Sequence, residues 1–558
     1  MLKVPHHAGE VVQALARSLG VTQTAAHVLL SRGLGDPTTA ASYLDPRLAN
    51  LTSPSAMVDR AVAVSRIARA VQHKERTVIF GDYDADGITA TALLTDVLRV
   101  LGAEVIPLLA NRFDGGYGLS DPALHRILQV RPSLVITCDC GSSDHDRLSK
   151  ARRSGIDAVV IDHHRVPDTT LPAVAFLNPN RPDCGFAYKG LASVGLALSV
   201  AAGVRAELGV ALDMRRWLDF VALGTVADVA PLDGDNRTLV RAGLSVLAHR
   251  TRAGTRALAD IAGCTNGTPT GEDISFRLAP RINAPGRIDR AELALELLLS
   301  TRDEEARRLA TEVDACSTRR KEIERGVLAD ALADLSPSAL AKLPAIVVAR
   351  QGWHPGVVGI VAGRLATMSG KPAIVLALDG ASGRGSARAP QGFSVYDALH
   401  ACRDVLMAFG GHHAAAGLEV ATHRVQALRE RFCDACAMQK STVVPPAFDA
   451  EAHLCEGESP ARVLRDIERF EPCGRENPAP RVGVQRARVA GVRAVRGGHM
   501  QLRLDIAGSP VTCFGPDMGS RVDVLRAAGV VDVVGAFVRS AWQGGDATEM
   551  RLIAAEPA

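Results

Sequence analysis

Three aspartates, each separated from the next by one residue, follow directly after an apolar run near residue 80. The sequence GDYDADG occupies residues 81–87, so Asp82, Asp84 and Asp86 alternate with other residues. The apolar run before it, TVIF, predicts a buried strand that emerges into a loop at these carboxylates. Carboxylates this close repel one another, and a divalent cation is the usual remedy. Taken alone, the motif is also compatible with an aspartate-rich turn.

Two further predicted strands also end in side chains that could bind a metal ion. The strand over 134–138 is followed by Asp139, the strand over 158–161 is followed by Asp-His-His at 162–164, and Asp228 follows an apolar helical run. The carboxyl ends of parallel strands face the crevice where such folds bind ligands. Mixed oxygen and nitrogen ligands without thiolate suit Mn²⁺ or Mg²⁺. The sequence therefore predicts a divalent-metal centre at one edge of a sheet.

The elements that position these side chains are strands that alternate with helices. A further short apolar strand at 104–108 and helical runs at 88–101, 193–206 and 213–224 complete the pattern. This alternation favours an α/β fold with a parallel sheet and right-handed crossovers.

Three further parts follow along the chain. Residues 303–335 are rich in Arg, Glu, Ala and Leu and predict one long helix that bridges two lobes. A second α/β unit comes next, with strands at 345–349 and 373–378 and helices at 356–368 and 394–408. Short β-type runs over 481–556, separated by glycine-containing turns, predict a small β-barrel or sandwich.

We therefore predict five segments. They are an N-terminal segment 1–50, an α/β domain 51–300, a connecting long helix 301–338, a smaller α/β domain 339–442 and a C-terminal barrel domain 443–558.

Composition narrows the class of protein but not its activity. The chain has 558 residues, 47% of them hydrophobic, with 22% charged residues and a net charge of +3. These values are typical of a globular protein of several domains, and the charge does not separate a nucleic-acid enzyme from a metabolic one. No apolar run is long enough to span a membrane, and the N-terminus lacks the apolar stretch of a secretory signal. We expect a cytoplasmic protein that does not bind membranes.

The motifs resemble those of the DHH phosphoesterase superfamily. The resemblance lies in DYDADG at 82–87, the Asp-His-His triplet at 162–164 and the single acids Asp139 and Asp228. It implies a parallel-sheet DHH domain that carries two divalent cations, Mn²⁺ or Mg²⁺.

Further stretches extend the resemblance along the chain and narrow it. GWHPGVVGI at 352–360 and GGHHAAAG at 410–417 resemble the DHH-associated domain, and the C-terminal region resembles an oligonucleotide-binding (OB) barrel. NRFDGGYGL at 111–119 and LAPRINAPGRI at 278–288 resemble the bacterial single-strand-specific 5′→3′ exonuclease family of that superfamily. Membership would imply a role in DNA recombination and repair, with single-stranded DNA bearing a 5′ end as substrate.

The resemblance implies a role for each metal-binding position. Asp84 would bind one ion and Asp86 the other, with Asp139 bridging the pair. His163 and Asp228 would complete the second ion.

The same comparison implies the remaining roles at the reaction centre. Asp82 would support the first ion, and His164 would face the substrate phosphate. Asp139, His163 and His164 would be the catalytic side chains of an in-line attack by water on the phosphorus after the first nucleotide. The product would be a 5′-mononucleotide.

The resemblance also implies substrate-binding residues. Ser386, Arg388 and His412, expected in Gly-rich loops, would hold the terminal 5′ phosphate, since a guanidinium grips phosphate bidentately. The residues that would line the path of the strand are Arg112, Tyr117, Arg281 and Arg287.

In the barrel, three aromatic residues are candidates for stacking on bases. They are Phe514, Phe537 and Trp542, and arginines at 481, 486, 488, 493, 496 and 503 lie near them in sequence.

Three alternatives stay open at the level of sequence. They are a DHH enzyme acting on short oligonucleotides or cyclic dinucleotides, a catalytically inactive replication scaffold, and a manganese pyrophosphatase. The C-terminal stretch 446–556 argues against the first and third, and the complete set of acids and histidines argues against the second. Single-strand-binding protein and a helicase are family-level expectations as partners, and we expect a monomer.

Overall fold

The protein is described by a computed structural model that covers residues 2–265, 267–335, 340, 342–439, 448–506, 508–540 and 547–558. No helix in these ranges is both long and apolar enough to cross a membrane.

The first domain is built on a five-stranded parallel sheet, which confirms the predicted α/β class. The strands are β1 Thr77–Gly81, β2 Val105–Leu109, β3 Leu134–Cys138, β4 Asp157–Ile161 and β5 Ala175–Leu177. Their order is β2-β1-β3-β4-β5, with all four pairings parallel. The two central strands β1 and β3 are buried along their whole length, because helices cover both faces of the sheet.

Helices surround this sheet and provide most of the core. The longer ones are Arg60–Gln72, Ala85–Val100, Asp121–Val130, His145–Arg153, Ser193–Glu207, Leu218–Ala227, Gly234–His249, Ala253–Ile261 and Glu292–Leu299. Short helical turns lie at Leu48–Asn50, Pro54–Ala56, Met214–Trp217, Gly271–Asp273, Ile274–Leu278, Ala279–Ile282 and Pro285–Ile288.

A single helix of 31 residues, Asp303–Ala333, leaves the first domain. Acidic side chains in its first turn complement the positive end of the helix dipole. Its N-terminal half packs into the core of the first domain through Leu309 and Val313, and its C-terminal half packs into the next domain through Val327 and Ala331. The predicted long connecting helix is therefore present, and it is built into both lobes.

The second domain has a mixed sheet in the order β6-β7-β8-β10-β9. The strands are β6 Ile346–Gln351, β7 Ala373–Asp379, β8 Ser382–Arg388, β9 Ala408–Gly411 and β10 Ala415–Ala421. Only β6 and β7 run parallel. The helices are Val358–Ser369, Val395–Ala401 and Val425–Ala437, with a short turn at Thr422–Arg424.

Two details of the sequence prediction are wrong in this domain. The helix expected over 394–408 ends at Ala401, and strand β9 begins at Ala408. The Gly-rich segment that carries Ser386 and Arg388 is strand β8, not a loop. Its glycines serve close packing, because a Cβ at Gly383 or Gly385 would lie 2.5 Å from a leucine side chain of β7.

The C-terminal domain is a β-barrel with one additional edge strand. Its strands are β11 Ala452–His453, β12 Val482–Val495, β13 His499–Ile506, β14 Ser509–Gly515, β15 Val530–Arg539 and β16 Thr548–Pro557. The sheet order is β11-β12-β13-β14-β16-β15, and pairing of β12 with β15 closes a barrel of five strands. The helices of this domain are Pro460–Ile467 and Val522–Ala528, with turns at Glu468–Phe470 and Gly519–Arg521.

The barrel changes the set of candidate stacking residues. Phe514 is 39% exposed, whereas Phe537 is only 3% exposed and fills the barrel core. Phe537 was therefore wrongly predicted as a stacking platform, since alternate residues of a barrel strand point inward. Trp542 lies outside the described residues.

The N-terminal segment packs against the C-terminal domain. Its helices are Gly9–Leu19, Gln23–Ser31 and Pro37–Leu44. Glu458 accepts the backbone N–H of Gln23 at 2.6 Å, and Asp466 accepts that of Thr22 at 2.6 Å. Side chains of the C-terminal domain thus cap the start of an N-terminal helix.

The C-terminal domain is in turn attached to the first domain. The buried Arg237 donates to the carbonyl oxygens of Tyr43 at 3.1 Å and Phe470 at 2.6 Å. Arg551 of β16 forms an ion pair with Glu272 of the first domain.

Candidate metal centre and substrate cleft

Three adjacent strands place the predicted acids and histidines at one edge of the first sheet. β1 leads into Asp82 and Asp84, β3 into Asp139, and β4 into residues 162–164. Asp84 is the N-cap of the Ala85–Val100 helix, and its Oδ1 accepts the backbone N–H groups of the next turn at 3.1 and 3.2 Å. Asp139 has a φ of 62°, a left-handed value that is uncommon outside glycine and that turns the chain sharply at the strand end.

One group of possible ligand atoms is formed by Asp86, His163 and Asp228, whose ligand atoms lie within 4.8 Å of one another. His163 Nε2 lies 3.9 Å from Asp86 Oδ2 and 3.6 Å from Asp228 Oδ2. The same nitrogen lies 3.2 Å from Asp139 Oδ1. Asp228 reaches the group from the end of the Leu218–Ala227 helix, where it is the C-cap residue.

A second group consists of Asp82, Asp84 and Asp139, again within 4.8 Å. Asp82 and Asp139 are buried, and the backbone N–H of Gly118 approaches Asp82 Oδ1 at 3.4 Å. Asp139 belongs to this second group and also lies next to His163 of the first group, so it connects the two.

The electrostatics of this cluster call for a cation. Burial, followed by neighbouring carboxylate charge, raises the pKa of Asp86 to about 7 and that of Asp228 to about 8. The pKa values of Asp82 and Asp139 are raised well above their ordinary range for the same reasons. Ionised, these carboxylates repel one another in a site that water reaches poorly.

His163 offers a nitrogen suited to metal binding. Burial, followed by the charge of His164, lowers the pKa of His163 to about 4, so its ring is neutral. Its Nε2 is buried, and within the described chain it has no hydrogen-bond partner. A neutral buried imidazole nitrogen surrounded by carboxylate oxygens is a donor set that fits Mn²⁺ or Mg²⁺.

The neighbouring histidine has the opposite character. His164 Nδ1 lies 2.8 Å from Asp162 Oδ1. Burial alone would lower the pKa of His164, but the hydrogen bond and charge of Asp162 raise it to about 9. Burial alone would raise the pKa of Asp162, which His164 lowers to about 2. His164 is therefore cationic at neutral pH, and the Tyr117 hydroxyl lies 3.0 Å from its Nδ1.

Some residues that support this centre were missed at the sequence level. The N-terminus of the Ser193–Glu207 helix points at Asp86, whose carboxylate accepts the backbone N–H groups of Ser193 at 2.7 Å and Val194 at 2.9 Å. Ser193 Oγ also donates to Asp139 Oδ1 at 3.1 Å. The helix was predicted, but no local pattern connects its first residues to an aspartate 107 positions earlier.

Two asparagines likewise hold the histidine segment. Asn178 Nδ2 donates to the carbonyl oxygen of His164 at 2.8 Å, and Asn180 Nδ2 donates to that of His163 at 2.9 Å. Isolated asparagines in a loop carry no sequence signal for such a role.

The predicted phosphate-binding residues of the second domain lie on or beside β8. Ser386 and Arg388 point to the same side of this strand, under the start of the Val358–Ser369 helix. A Cβ at Gly359 would lie 2.9 Å from Arg388 Nη2 and 3.1 Å from Ser386 Oγ. His412 is exposed in the turn between β9 and β10, shortly before Ala415, the β10 residue that pairs with Arg388.

Arginines of the first domain approach this region from the other side. Arg112 stacks over the Tyr83 ring at 4.1 Å, and Arg287 Nη1 contacts the carbonyl oxygen of Gly356 at 3.5 Å. Burial, followed by the charge of Arg112, lowers the pKa of Arg388. Cationic side chains of both domains therefore meet across the cleft beside the carboxylate cluster.

Arg281 is placed differently from the other predicted arginines. Its Nε donates to Asp314 Oδ1 of the long helix at 2.7 Å, and its Nη1 donates to the carbonyl oxygen of Arg277 at 2.7 Å. The bond to Asp314 attaches Arg281 to the connecting helix.

Comparison with known families gives three matches in chain order. Residues 76–225 match the DHH family N-terminal domain, residues 342–438 the DHHA1 domain and residues 451–554 the RecJ OB domain.

Individual relatives agree with these matches. The single-stranded-DNA-specific exonuclease RecJ of Bacillus subtilis is 34% identical over 540 residues, which cover 95% of this chain and 67% of the relative. That of Thermus thermophilus is 32% identical over 510 residues, covering 91% of this chain and 72% of the relative. The crystal structure of Thermus thermophilus RecJ in complex with Mn²⁺ superposes with a TM-score of 0.84 at 30% identity, covering all of this chain and 78% of that one. This chain belongs to the RecJ family of single-stranded-DNA-specific exonucleases.

Proposed function

We propose that this protein is an exonuclease that removes 5′-mononucleotides from the 5′ end of single-stranded DNA by two-metal phosphodiester hydrolysis, in DNA recombination and repair. The observation that carries the proposal is the meeting of the Asp86–His163–Asp228 group and the Asp82–Asp84–Asp139 group at one sheet edge, in a chain of this family.

The two groups suggest how two cations would be held. We assign Asp86, His163 and Asp228 to one ion, Asp84 with support from Asp82 to the other, and Asp139 to both. Crystal structures of the Thermus thermophilus relative in complex with Mn²⁺ and with Mg²⁺ support a site for either metal. Two such ions activate water and stabilise the attacking and leaving oxygens of an in-line displacement.

The protein side chains then have separate tasks. His164, held by Asp162 as a cation, would stabilise negative charge on the scissile phosphate. Ser193 and the helix that it begins fix the orientation of Asp86 and Asp139.

Recognition of the DNA end is assigned to the opposite wall of the cleft. We assign the terminal 5′ phosphate to Ser386, Arg388 and His412. The path of the strand is assigned to Arg112, Tyr117, Arg281 and Arg287.

The barrel would receive the rest of the strand. Phe514 is exposed on β14, and its ring centroid lies 5.4 Å from that of His499 on β13. Exposed arginines lie on β12 at positions 486, 488 and 493, on β13 at position 503, and at position 496 in the turn that joins these two strands. Aromatic stacking within a basic groove suits single strands, whose bases are unpaired.

The cellular setting that we propose follows from this substrate. The protein would act as a cytoplasmic monomer, with a helicase to open duplex and single-strand-binding protein to keep the strand extended.

The test is a degradation assay with Mn²⁺ on single-stranded DNA labelled at either end, beside a matched duplex and a dinucleotide. We expect early release of mononucleotide from the 5′ label alone, with duplex spared. Rapid cleavage of the dinucleotide with the long strand intact would reject the proposal in favour of a small-nucleotide phosphodiesterase.

A further inference from the structure

A buried ion-pair chain joins the long helix to the second domain beside the reaction centre. The Glu324 side chain is 2% exposed and the Arg320 side chain 11% exposed, and Arg320 Nη1 donates to Glu324 Oε2 at 2.5 Å. Arg364 of the Val358–Ser369 helix lies with its Nε 2.7 Å from Glu324 Oε1. One buried carboxylate is therefore shared by two guanidinium groups, and it fixes the position of Arg320.

Arg320 also lines a cavity of about 240 Å³ between the domains. The cavity wall includes Ala227 and Val229, which flank Asp228, and Ile360 of the second domain. Asn283, another wall residue, accepts the backbone N–H of Ala85 at 2.8 Å and so holds the start of the metal-binding helix. The cavity is therefore lined by residues that flank or position the proposed metal ligands.

The positive charge around this cavity is only partly balanced by the described protein groups, since the single carboxylate of Glu324 faces both Arg320 and Arg364. Arg287 lines it together with Arg320. Among the described residues, Arg320 uses one guanidinium nitrogen in a hydrogen bond, and Arg287 makes one long contact to a carbonyl oxygen. Burial, followed by the charges of Arg112 and then Arg320, lowers the pKa of Arg287 to about 10, as expected where cations are close together. An anionic ligand would relieve this repulsion.

We infer that Arg320 is a substrate-binding residue that contacts an internucleotide phosphate next to the metal centre, and that Glu324 and Arg364 are its positioning residues. The inference rests on the proposed exonuclease function. It makes the connecting helix part of the substrate site, on the face opposite its exposed side.

The test measures metal-free binding, so hydrolysis does not interfere. The protein is titrated into a 3′-labelled oligothymidine of twelve nucleotides, with a 5′ phosphate or a 5′ hydroxyl, in EDTA at several salt concentrations. We expect Arg320→Ala to weaken binding roughly tenfold for both ends and to reduce the salt dependence by about 0.7, the value for one phosphate of a single strand. Arg320→Lys should recover part of the affinity. Arg325→Ala is the matched control, because Arg325 is exposed on the same helix.

Neutral linkages then locate the contact. A methylphosphonate placed at each of the first four linkages in turn removes one phosphate charge. At one of these linkages, the methylphosphonate should weaken binding to the wild-type protein but not to Arg320→Ala. The inference is wrong if the methylphosphonate and Arg320→Ala have additive effects on the binding free energy at every linkage. It is also wrong if Arg320→Ala loses only the preference for a phosphorylated end.

A second variant separates binding from folding. Arg320→Ala leaves Glu324 with one partner, so the double variant Arg320→Gln/Glu324→Gln, which removes both charges, should show the same reduction in salt dependence. An unchanged salt dependence there would also overturn the inference. If the wild-type protein itself does not bind or degrade single strands, the proposed function fails, and this inference fails with it.

Discussion

At the scale of single residues, the centre is defined by groups that are unfavourable without a cation. Asp139 is the clearest example, because it is buried, carries a left-handed backbone conformation and stands between both ligand groups. Sequence predicted which acids and histidines meet here, since strand ends of a parallel sheet share one edge. It did not predict the supporting Ser193, because that contact depends on tertiary packing.

Replacing Asp139 by asparagine should abolish stabilisation by Mn²⁺ without lowering the thermal stability of the metal-free protein. A buried carboxyl whose pKa is raised in the folded state costs stability once pH exceeds its unfolded value, and the neutral amide removes that cost. We therefore expect Asp139→Asn to unfold at the same or a higher temperature than the metal-free wild type at pH 7.5. Addition of Mn²⁺ should raise the wild-type midpoint and leave that of the variant unchanged, with turnover reduced at least a thousandfold.

The control for this experiment is Asp146→Asn, an exposed carboxylate in the helix after β3. Its Mn²⁺ response and turnover should match those of the wild type. A normal Mn²⁺ response in Asp139→Asn would contradict the assignment of Asp139 to both ions.

Arg388 should determine the preference for a phosphorylated end. Loss of a charge-assisted contact of about 2 kcal/mol corresponds to roughly thirtyfold. We expect Arg388→Ala to raise KM by that factor for a 5′-phosphorylated strand and far less for a 5′-hydroxyl strand. Arg384→Ala is the control, because Arg384 lies on the same strand β8, on the same face as Arg388. An unchanged preference in Arg388→Ala would assign end recognition elsewhere.

At the scale of elements, the sequence predicted buried strands and long helices well and misjudged segments whose character depends on partners. β8 is the instructive case, because its glycines suggest a loop, although β7 and β10 pair with it on both sides. Phe537 illustrates the same limit, since the side of a strand that faces the barrel core depends on its register with β12 and β16.

The start of the Val358–Ser369 helix offers a test at this scale. A Cβ at Gly359 would meet the ends of Arg388 and Ser386, which are flexible side chains and can move aside. We therefore expect Gly359→Ala to fold normally but to raise KM for 5′-phosphorylated strands severalfold, with an unchanged Mn²⁺ response.

Gly363→Ala, one turn later in the same helix, is matched to it. Its Cβ would lie 3.9 Å from Arg388 Cγ, an ordinary contact, and alanine favours helix by about 0.5–1 kcal/mol over glycine. Equal KM values for the two variants would argue against a phosphate site under this helix.

At the scale of the whole molecule, buried polar contacts join the N-terminal segment and the C-terminal domain to the first domain. Arg237 of the first domain makes several of these contacts. Its guanidinium group donates to the backbone carbonyl oxygens of Tyr43 in the N-terminal segment and of Arg469 and Phe470 in the C-terminal domain. The barrel and the N-terminal helices thereby share one attachment to the catalytic domain.

Replacing Arg237 by methionine should loosen this attachment. It removes the side-chain donor of the Tyr43 carbonyl oxygen, whereas the carbonyl oxygens of Phe470 and Arg469 keep Asn477 and Arg241 as donors, so we expect a cost of about 2 kcal/mol. We expect a clearly lower urea midpoint for Arg237→Met and a larger loss of activity on long strands than on trinucleotides. Arg215→Met, which removes an exposed ion pair with Asp213, should leave both measurements close to wild type. Equal losses on long and short substrates would show that the attachment does not serve the barrel.

The capping of the Gln23–Ser31 helix by Glu458 also has a consequence for biosynthesis. The two partners are 435 residues apart in the chain. At a ribosomal speed of roughly 5–20 residues per second, the early helices emerge about 20–90 s before the carboxylates that complete them. The first segment to be synthesised is thus among the last to reach its final environment, and nascent chains interrupted before the barrel should present these helices to chaperones and proteases.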